Sequence, residues 1–248
     1  MEKIKIVIPS YKRADRVRSS KLVLDPILCV AESEFDAYRE YNPDTEIVTH
    51  PDSVKGLVAK RNWMYEHFGD LFMIDDDVMT FHKLHTPPDV PAECIKDPKV
   101  VTDSINRLYT VAKMLGINLF GFTKSTRPIM YKPFKPYSLN SMITGCAYGV
   151  IKSPNIYWPD DLKLKEDFWI SCWIKYKERM VLVDNRFNFT QKDTFFNPGG
   201  LSEIRNDRTE LEAMLYMKKM FGDVIDLKRD NVQVSSAKKY NITCHFPF

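Results

Sequence analysis

Strand and helix patterns alternate along the first third of the chain, and this alternation constrains the fold more than any other feature. Short apolar runs predict strands, and the amphipathic or charged segments between them predict helices. The predicted strands are residues 5–9, 26–30, 46–49 and 72–74, and the predicted helices are residues 13–19, 32–41 and 56–67. Repeated strand–helix–strand units predict a mostly parallel sheet with helices on both faces, which is an α/β fold.

The later part of the chain continues this pattern less regularly. We predict helices at residues 98–116, 165–176 and 205–221, strands at residues 117–122, 143–151, 180–183, 232–234 and 242–245, and an exposed loop at residues 86–98. With 248 residues and 44% hydrophobic content, the chain can bury a large core. We treat residues 1–248 as a single domain with two halves, residues 1–122 and 123–248.

The net charge excludes few classes of partner, whereas the cysteines indicate a reducing compartment. The net charge of +3 neither requires nor excludes a nucleic-acid partner, so local clusters of charge must decide. No apolar run reaches about 18 residues, and we therefore expect no membrane span. The five cysteines are scattered and contain no CxxC pair, which is typical of reduced thiols in a cytoplasmic protein.

Three polar loops follow predicted strands, at residues 10–13, 50–56 and 75–77. In open α/β sheets, ligands bind at the carboxyl ends of the strands. The third loop is a run of three aspartates, Asp75-Asp76-Asp77, directly after an apolar strand. Such a concentration of charge is costly unless a cation shares it, and carboxylates of this kind suit Mg²⁺ or Mn²⁺. The alternative is a solvated acidic turn.

Two further motifs have both a catalytic and a structural interpretation. Gly56 precedes a helix that carries Lys60 and Arg61 in its first turns, which suits a phosphate but also an exposed basic helix face. Glu166 and Asp167 begin another helix, where carboxylates are favoured by the helix dipole in any case. A carboxylate held between aromatic neighbours could instead act as a general base.

A basic and aromatic segment occupies residues 123–141. Its cations and aromatic side chains alternate without an acidic residue, which is typical of a surface that grips phosphates and stacks bases, although a solvated hairpin is the alternative. We define the basic strip as Lys124, Arg127, Tyr131, Lys132, Lys135 and Tyr137. A weaker basic group consists of Lys228, Arg229, Lys238, Lys239 and Tyr240, and residues 195–201 form a glycine-containing loop that could approach a ligand.

Taken together, these motifs resemble a nucleotide-sugar glycosyltransferase of the GT-A type. Residues 6–13 (IVIPSYKR) resemble the opening strand and nucleotide loop of that fold, the aspartate triplet resembles its DxD metal site, and Glu166-Asp167 resembles its late acidic pair. The region from Gly56 to Phe81 resembles more narrowly the TET-associated glycosyltransferases, found largely in phages and inferred to modify hydroxymethylated pyrimidines in DNA.

The resemblance implies a metal-dependent transfer from a UDP-sugar to 5-hydroxymethylpyrimidine, most expected as 5-hydroxymethylcytosine, in phage DNA within an infected cell. Asp167 would be the base of an inverting reaction, with Glu166 beside it. Asp75, Asp77 and His245 would hold Mn²⁺ or Mg²⁺, and the basic strip would bind DNA. The nucleotide-sugar contacts implied are Pro9, Ser10, Arg13, Asp52, Gly56, Lys60, Arg61, Asp75 and Asp76.

Three other functions are compatible with parts of the sequence. A GT-A enzyme acting on a glycan or small molecule would use the same fold and metal, and only the basic strip argues against it. A nucleotidyltransferase would also use carboxylates and Mg²⁺, but an early glycine-rich phosphate loop is absent from the sequence. A non-catalytic DNA-binding module would leave both acidic motifs unexplained.

Overall fold

The computed structural model describes residues 2–87, 89–143, 145–191, 200–227 and 240–246. The strands within these residues are β1 (Lys5–Pro9), β2 (Ile27–Ala31), β3 (Glu46–His50), β4 (Leu71–Ile74), β5 (Val78–Lys83), β6 (Glu93–Ile95), β7 (Leu119–Phe122), β8 (Tyr137–Ser138), β9 (Ala147–Val150), β10 (Leu182–Asp184), β11 (Phe187–Gln191), β12 (Ile225–Leu227) and β13 (Ile242–Cys244). The α-helices are α1 (Phe35–Tyr41), α2 (Leu57–Phe68), α3 (Pro98–Leu115), α4 (Glu166–Glu178) and α5 (Asp207–Phe221).

An eight-stranded sheet forms the centre of the molecule, in the order β3-β2-β1-β4-β9-β7-β10-β8. Strands β1, β2, β3, β4, β7 and β10 run in one direction, whereas β9 and β8 run against them. This arrangement confirms the predicted α/β class with a mostly parallel sheet. The carboxyl ends of β1, β4 and β7 and the start of β9 therefore meet at one edge, where the predicted loops lie.

Helices cover both faces of this sheet, and β4 shows why. Its alternate residues point to opposite faces. Leu71 and Met73 pack in the core that contains α2, α4 and α5, whereas Phe72 and Ile74 pack in the core that contains α3. A strand buried on both faces reads as a continuous apolar run, which is why residues 71–74 could be recognised in the sequence.

Strands β7 and β9 are locked together by a glycine and an aromatic ring. Gly149 of β9 pairs with Phe120 of β7, and the Phe120 ring lies directly over Gly149. A Cβ atom at position 149 would come within 2.1 Å of the Phe120 ring. This close packing fixes the start of β9, which borders the acidic site described below.

Differences from the prediction concern the smaller elements. The helix predicted at residues 13–19 is a pair of 3-10 turns, Ala14–Arg16 and Ser19–Lys21. The loop predicted at residues 86–98 contains β6, which joins a second sheet in the order β11-β5-β6 that was not predicted. Strand β6 of this sheet has only three residues, and β5 pairs with β11, which is distant in the chain. Local sequence patterns do not reveal such a pairing. Residues 195–199 and 228–239, with the predicted strand 232–234, lie outside the described residues.

The interpretation of β7 and β9 can be tested by two matched glycine substitutions. We expect Gly149→Ala to lower the free energy of unfolding by about 1–3 kcal/mol, because the added methyl group overpacks the Phe120 ring. Gly121→Ala is the control, since its Cβ would meet neighbours at an ordinary 3.4 Å. Urea unfolding measures both. Equal losses for the two variants would contradict the proposed packing.

Candidate active site

The aspartate triplet lies at the carboxyl edge of the central sheet, directly after β4. The backbone N–H of Asp75 donates to the carbonyl oxygen of Cys146, 2.8 Å away, which ties the triplet to the segment before β9. The three carboxylates then take different directions and meet different partners. The triplet is therefore three separate functional groups held at one place.

Asp76 points inward and holds the loop that follows β1. One of its oxygens accepts from the Ser10 hydroxyl at 2.5 Å, and the other accepts from the Arg13 guanidinium at 2.9 Å. The Tyr38 hydroxyl lies 2.7 Å from Ser10 Oγ and accepts from the Arg13 backbone N–H. Asp76 is therefore buried and anchors the Ser10–Arg13 loop, and its predicted contact with the nucleotide stays a prediction.

Asp75 and Asp77 converge on a single side-chain amide. Gln191 Nε2 donates to Asp75 Oδ2 at 3.1 Å and to Asp77 Oδ1 at 2.7 Å. Burial raises the pKa of Asp75 to about 8; nearby Arg61 opposes this shift, and the charge of Asp77 adds to it. Burial also raises the pKa of Asp77, with the charge of Asp76 as the next cause. Arg61 lies 3.3 Å from Asp75 Oδ1 and Arg13 lies 3.6 Å from Asp77 Oδ2, but these two cations do not offset the burial of the pair.

These two carboxylates fit a divalent cation only in part. Hard carboxylate oxygens that converge on one point and lack sufficient positive charge suit Mg²⁺ or Mn²⁺. Within the described residues, however, no group of three histidine, cysteine, aspartate or glutamate side chains could hold a metal. His245 is exposed after β13, and Cys244 Sγ lies 3.6 Å from Cys172 Sγ in the middle of α4, so the structure does not bring His245 to Asp75 and Asp77.

Arg61 links the triplet to the beginning of α4. Its side chain is 1% exposed, and one guanidinium nitrogen lies 3.3 Å from Asp75 Oδ1 and 3.2 Å from Glu166 Oε1. The guanidinium also lies over the ring of Tyr148, 5.0 Å from its centroid. Arg61 is thus an internal counter-ion of Asp75 and Glu166, and its burial excludes the exposed basic helix face that was the alternative to a phosphate contact.

Asp167 is held by backbone donors. Its two carboxylate oxygens accept from the Gly145 N–H and from the Phe168 N–H, each at 2.9 Å. Gly145 has a φ of +89°, a conformation that favours glycine and directs its N–H at the acid. Burial, together with the charge of Glu166, raises the pKa of Asp167 to about 6. An acid of this kind is ionised near neutral pH yet basic enough to accept a proton.

The remaining predicted nucleotide contacts lie along the same edge, nearer to β1 and β3. Lys60 is buried, donates to the Ser10 carbonyl oxygen at 2.6 Å, and has its pKa lowered by burial. Gly56 precedes α2 with a φ of +84°. Asp52 is exposed after β3 and accepts from the Ser33 hydroxyl at 2.8 Å. Pro9 ends β1. These residues border one region, although Lys60 supports the loop rather than facing solvent.

A cleft of about 270 Å³ lies on the other side of the triplet, between the end of β7, the start of β9 and β11. Its wall includes Gly145 and Gln191, which hold Asp167 and the pair Asp75 and Asp77 respectively. The other lining residues are Phe122, Thr123, Lys124, Thr126, Cys146, Ala147, Asn188, Phe189 and Thr190. The acids therefore lie between the loops of β1 to β3 on one side and this cleft on the other.

The basic strip begins at the mouth of the cleft. Its four cations, Lys124, Arg127, Lys132 and Lys135, are exposed, and Phe134 between them has 85% of its surface exposed. Tyr131 and Tyr137 are half-buried, and the Tyr137 hydroxyl accepts from Arg186 at 2.5 Å. The cations and Phe134 thus form an accessible surface, whereas Tyr137 supports the fold.

Sequence reasoning missed several residues of the site. Gln191 and Asn188 lie on β11, which was not predicted as a strand, and Tyr38 is distant in sequence from the Ser10 hydroxyl that it contacts. The alternation of aromatic and polar residues in Phe187–Gln191 is the signal that could have identified β11. The contact made by Tyr38 has no comparable local signal.

Among the described residues, no helix is long and apolar enough to cross a bilayer.

Comparison with solved structures finds S. aureus TarS, residues 1–349. Its complex with UDP-GlcNAc has a TM-score of 0.51 and 10% sequence identity, over 96% of this chain and 69% of that chain. A second structure of TarS residues 1–349 has a TM-score of 0.47 and 10% identity, over 94% and 76% of the two chains. The likeness to the complex supports the fold.

No curated protein sequence matches this chain significantly. The family described as TET-Associated Glycosyltransferase, however, matches residues 4–200, which include β1, the triplet, both acids at the start of α4, and β11. This match covers well over half of the chain and confirms the resemblance inferred from the sequence. The chain belongs to the TET-associated glycosyltransferases and is a glycosyltransferase enzyme.

Proposed function

We propose that this enzyme transfers a sugar from a UDP-sugar to the hydroxymethyl group of a 5-hydroxymethylpyrimidine, expected to be 5-hydroxymethylcytosine, in phage DNA within the cytoplasm of an infected cell. The observation that carries the proposal is Asp167, a carboxylate held by the Gly145 and Phe168 N–H groups and next in the chain to Glu166, which shares Arg61 with Asp75. Membership of the TET-associated glycosyltransferases supports the DNA acceptor, because that family is inferred to modify hydroxymethylated pyrimidines in DNA.

The donor is proposed to lie across the loops after β1, β2 and β3, within residues 1–122. The TarS relative in this fold was solved with UDP-GlcNAc, which supports a UDP-sugar here. The Ser10–Arg13 loop, fixed by Asp76, and the exposed Asp52 provide hydrogen-bonding groups for a nucleoside. Residues 123–248 would then supply the acceptor side. The basic strip and every lining residue of the cleft except Phe122 lie in this half of the chain.

Asp75 and Asp77 are the residues that would hold Mn²⁺ or Mg²⁺, with the donor diphosphate completing the ligand set. Such ions are commonly bound by one or two carboxylates plus substrate phosphates, which suits a site with only two convergent acids. When bound, the ion supplies positive charge to the diphosphate leaving group. Of the predicted ligands, His245 has no place in this proposal, because it lies beside α4 away from both aspartates.

Asp167 is proposed to act as the general base of an inverting transfer. The acceptor hydroxyl loses its proton to Asp167 as its oxygen bonds to the anomeric carbon, and the bond from that carbon to the diphosphate breaks to release UDP. Base catalysis of this kind contributes about 10²–10⁴-fold. Glu166 serves as the ion-pair partner of Arg61 next to Asp167.

The DNA acceptor is supported by the surface beside the cleft. Four exposed cations and the exposed Phe134 ring lie on one segment that begins at the cleft. Cations that contact phosphates give binding without much sequence reading, and an exposed ring can stack on a base. A glycan or small-molecule acceptor would leave this surface without a role.

The proposed reaction can be tested by UDP release. The enzyme is incubated with Mn²⁺, each of a panel of UDP-sugars, and duplex DNA with or without 5-hydroxymethylcytosine. UDP release is measured, and the mass of the product DNA is determined by mass spectrometry. We expect release that requires both one sugar and the modified base, with the sugar mass added to the DNA. Hydrolysis that is indifferent to DNA would leave the enzyme a glycosyltransferase with another acceptor.

Asp167 can be tested by substitution and by pH. Because the carboxylate must be ionised to accept a proton, we expect kcat/KM to fall as the pH drops through about 6, instead of near the ordinary value of 3.8. Asp167→Asn should lower kcat by about 10²–10⁴-fold and leave UDP affinity nearly unchanged. Asp161→Asn, an exposed aspartate nearby in sequence, is the control. Full activity of Asp167→Asn would refute the assignment of the base.

The cation site can be tested by thermal stability. A ligand that binds only the native state raises Tm, so Mn²⁺ with UDP should stabilise the protein, and chelation should reverse this shift. Asp77→Asn and Asp75→Asn should each abolish the effect of Mn²⁺, whereas Asp89→Asn in the exposed loop should retain it. A shift from Mn²⁺ that persists in both site variants would place the cation elsewhere.

A further inference from the structure

The cleft between β7, β9 and β11 has walls made of the same groups that position the acids. Gly145 lines it and donates to Asp167 at 2.9 Å. Gln191 lines it and donates to Asp75 and Asp77. A group that enters the cleft therefore contacts the residues that hold the proposed base and the paired acids, on the side away from the β1 to β3 loops. This position is that of an acceptor.

Asn188, which lines the cleft, carries a buried hydrogen-bonding atom without a partner among the described residues. Asn188 is 1% exposed, and its amide nitrogen donates to the Phe189 carbonyl oxygen at 3.1 Å. Its amide oxygen accepts no hydrogen bond within the part of the chain that the structure describes. A buried acceptor without a donor costs free energy, and such groups are rare in native proteins. A ligand that brings an N–H group would remove this cost.

The rest of the cleft suits a flat, partly apolar ligand. Phe122, Ala147 and Phe189 contribute apolar wall, and the exposed Lys124 and Thr126 lie at the mouth. Its volume of about 270 Å³ lies near the lower end of the range of about 300–1,000 Å³ for ligand pockets, which suits one base. Enzymes that modify a base commonly extrude it into such a pocket, pack it against aromatic side chains, and read its edge by hydrogen bonds.

We infer that this cleft receives the extruded acceptor base, and that Asn188 Oδ1 accepts a hydrogen bond from the exocyclic amino group of 5-hydroxymethylcytosine. The inference rests on the proposed function and adds a choice of base to it. Hydroxymethyluracil has a carbonyl oxygen where cytosine has the amino group, so two acceptors would face each other at Asn188. Rejection of an analogue that leaves a buried polar group unpaired is a strong form of discrimination.

The same contact would orient the reacting hydroxyl. The hydroxymethyl group is attached to the ring atom next to the one that carries the amino group. Holding the amino group at Asn188 therefore also limits the directions in which the hydroxyl can point. Orientation of this kind contributes to rate as well as to affinity.

The test compares binding of fluorescent oligonucleotides that carry one 5-hydroxymethylcytosine, one 5-hydroxymethyluracil or one unmodified cytosine. Anisotropy is measured with UDP and Mn²⁺ present, so that no particular sugar is needed, and sugar transfer from the UDP-sugar panel is followed by mass in parallel. We expect the protein to prefer 5-hydroxymethylcytosine DNA over 5-hydroxymethyluracil DNA by about tenfold or more. Asn188→Leu should lose that preference while retaining stabilisation by UDP.

Two controls separate the cleft from the fold. His82→Gln alters the residue that pairs with Asn188 on β5 but does not line the cleft, and it should retain the preference. Thr126→Trp places a large ring at the exposed mouth, so it should weaken binding of 5-hydroxymethylcytosine DNA by about tenfold or more even if Asn188→Leu fails to fold. Met114→Trp, at an exposed position on α3 outside the basic strip, should leave binding unchanged.

The possible outcomes are distinguishable. A preference that survives in Asn188→Leu, or transfer to both modified DNAs with equal efficiency, would overturn the role of Asn188 and leave the proposed function standing. Unaltered binding and transfer in Thr126→Trp would overturn the cleft as the base site. A protein that neither transfers a sugar to hydroxymethylated DNA nor distinguishes it from unmodified DNA would refute the proposed function and this inference together.

Discussion

The site depends on the burial of Arg61 between Asp75 and Glu166. These acids come from different elements, the end of β4 and the start of α4, and each would repel the other without a cation between them. A fully buried guanidinium pairs with two carboxylates and so holds strand and helix at one distance. Removing one partner of such a buried network leaves an uncompensated charge, which is far more costly than losing a surface ion pair. The position of Asp167 follows directly, because it is next to Glu166 in the chain.

The distribution of charge around the acids assigns them different roles. Asp76 pairs with Arg13 at 2.9 Å, and Glu166 shares Arg61 with Asp75. Asp77 lies 3.6 Å from Arg13, Asp75 and Asp77 share the Gln191 amide donor, and Asp167 has backbone donors. The raised pKa values of Asp75 and Asp167, to about 8 and about 6, reflect burial that these partners do not offset. Perturbed acids of this kind cluster at functional sites.

Local sequence patterns predicted the frame of the site but not its internal pairing. The strand before the triplet and the helix that begins at Glu166 were recognised because apolar periodicity and terminal carboxylates are local signals. The roles of Lys60 and Arg61 were not, because a Lys-Arg pair in the first turns of a helix reads as an exposed basic surface. Only packing of α2 against the sheet and α4 shows that both are buried. Gln191 and Asn188 depend on the pairing of β11 with β5, which no local pattern specifies.

The hydrogen bonds to Asp167 come from the main chain, at Gly145 and Phe168. Every residue except proline supplies a main-chain N–H, so most substitutions around this acid leave its hydrogen bonds in place. Only position 145 is constrained, since its φ of +89° is tolerated by glycine and strained for other residues. Divergent members of such a lineage could therefore change the surrounding side chains, and with them the acceptor, while one glycine preserves the ionisation of the base.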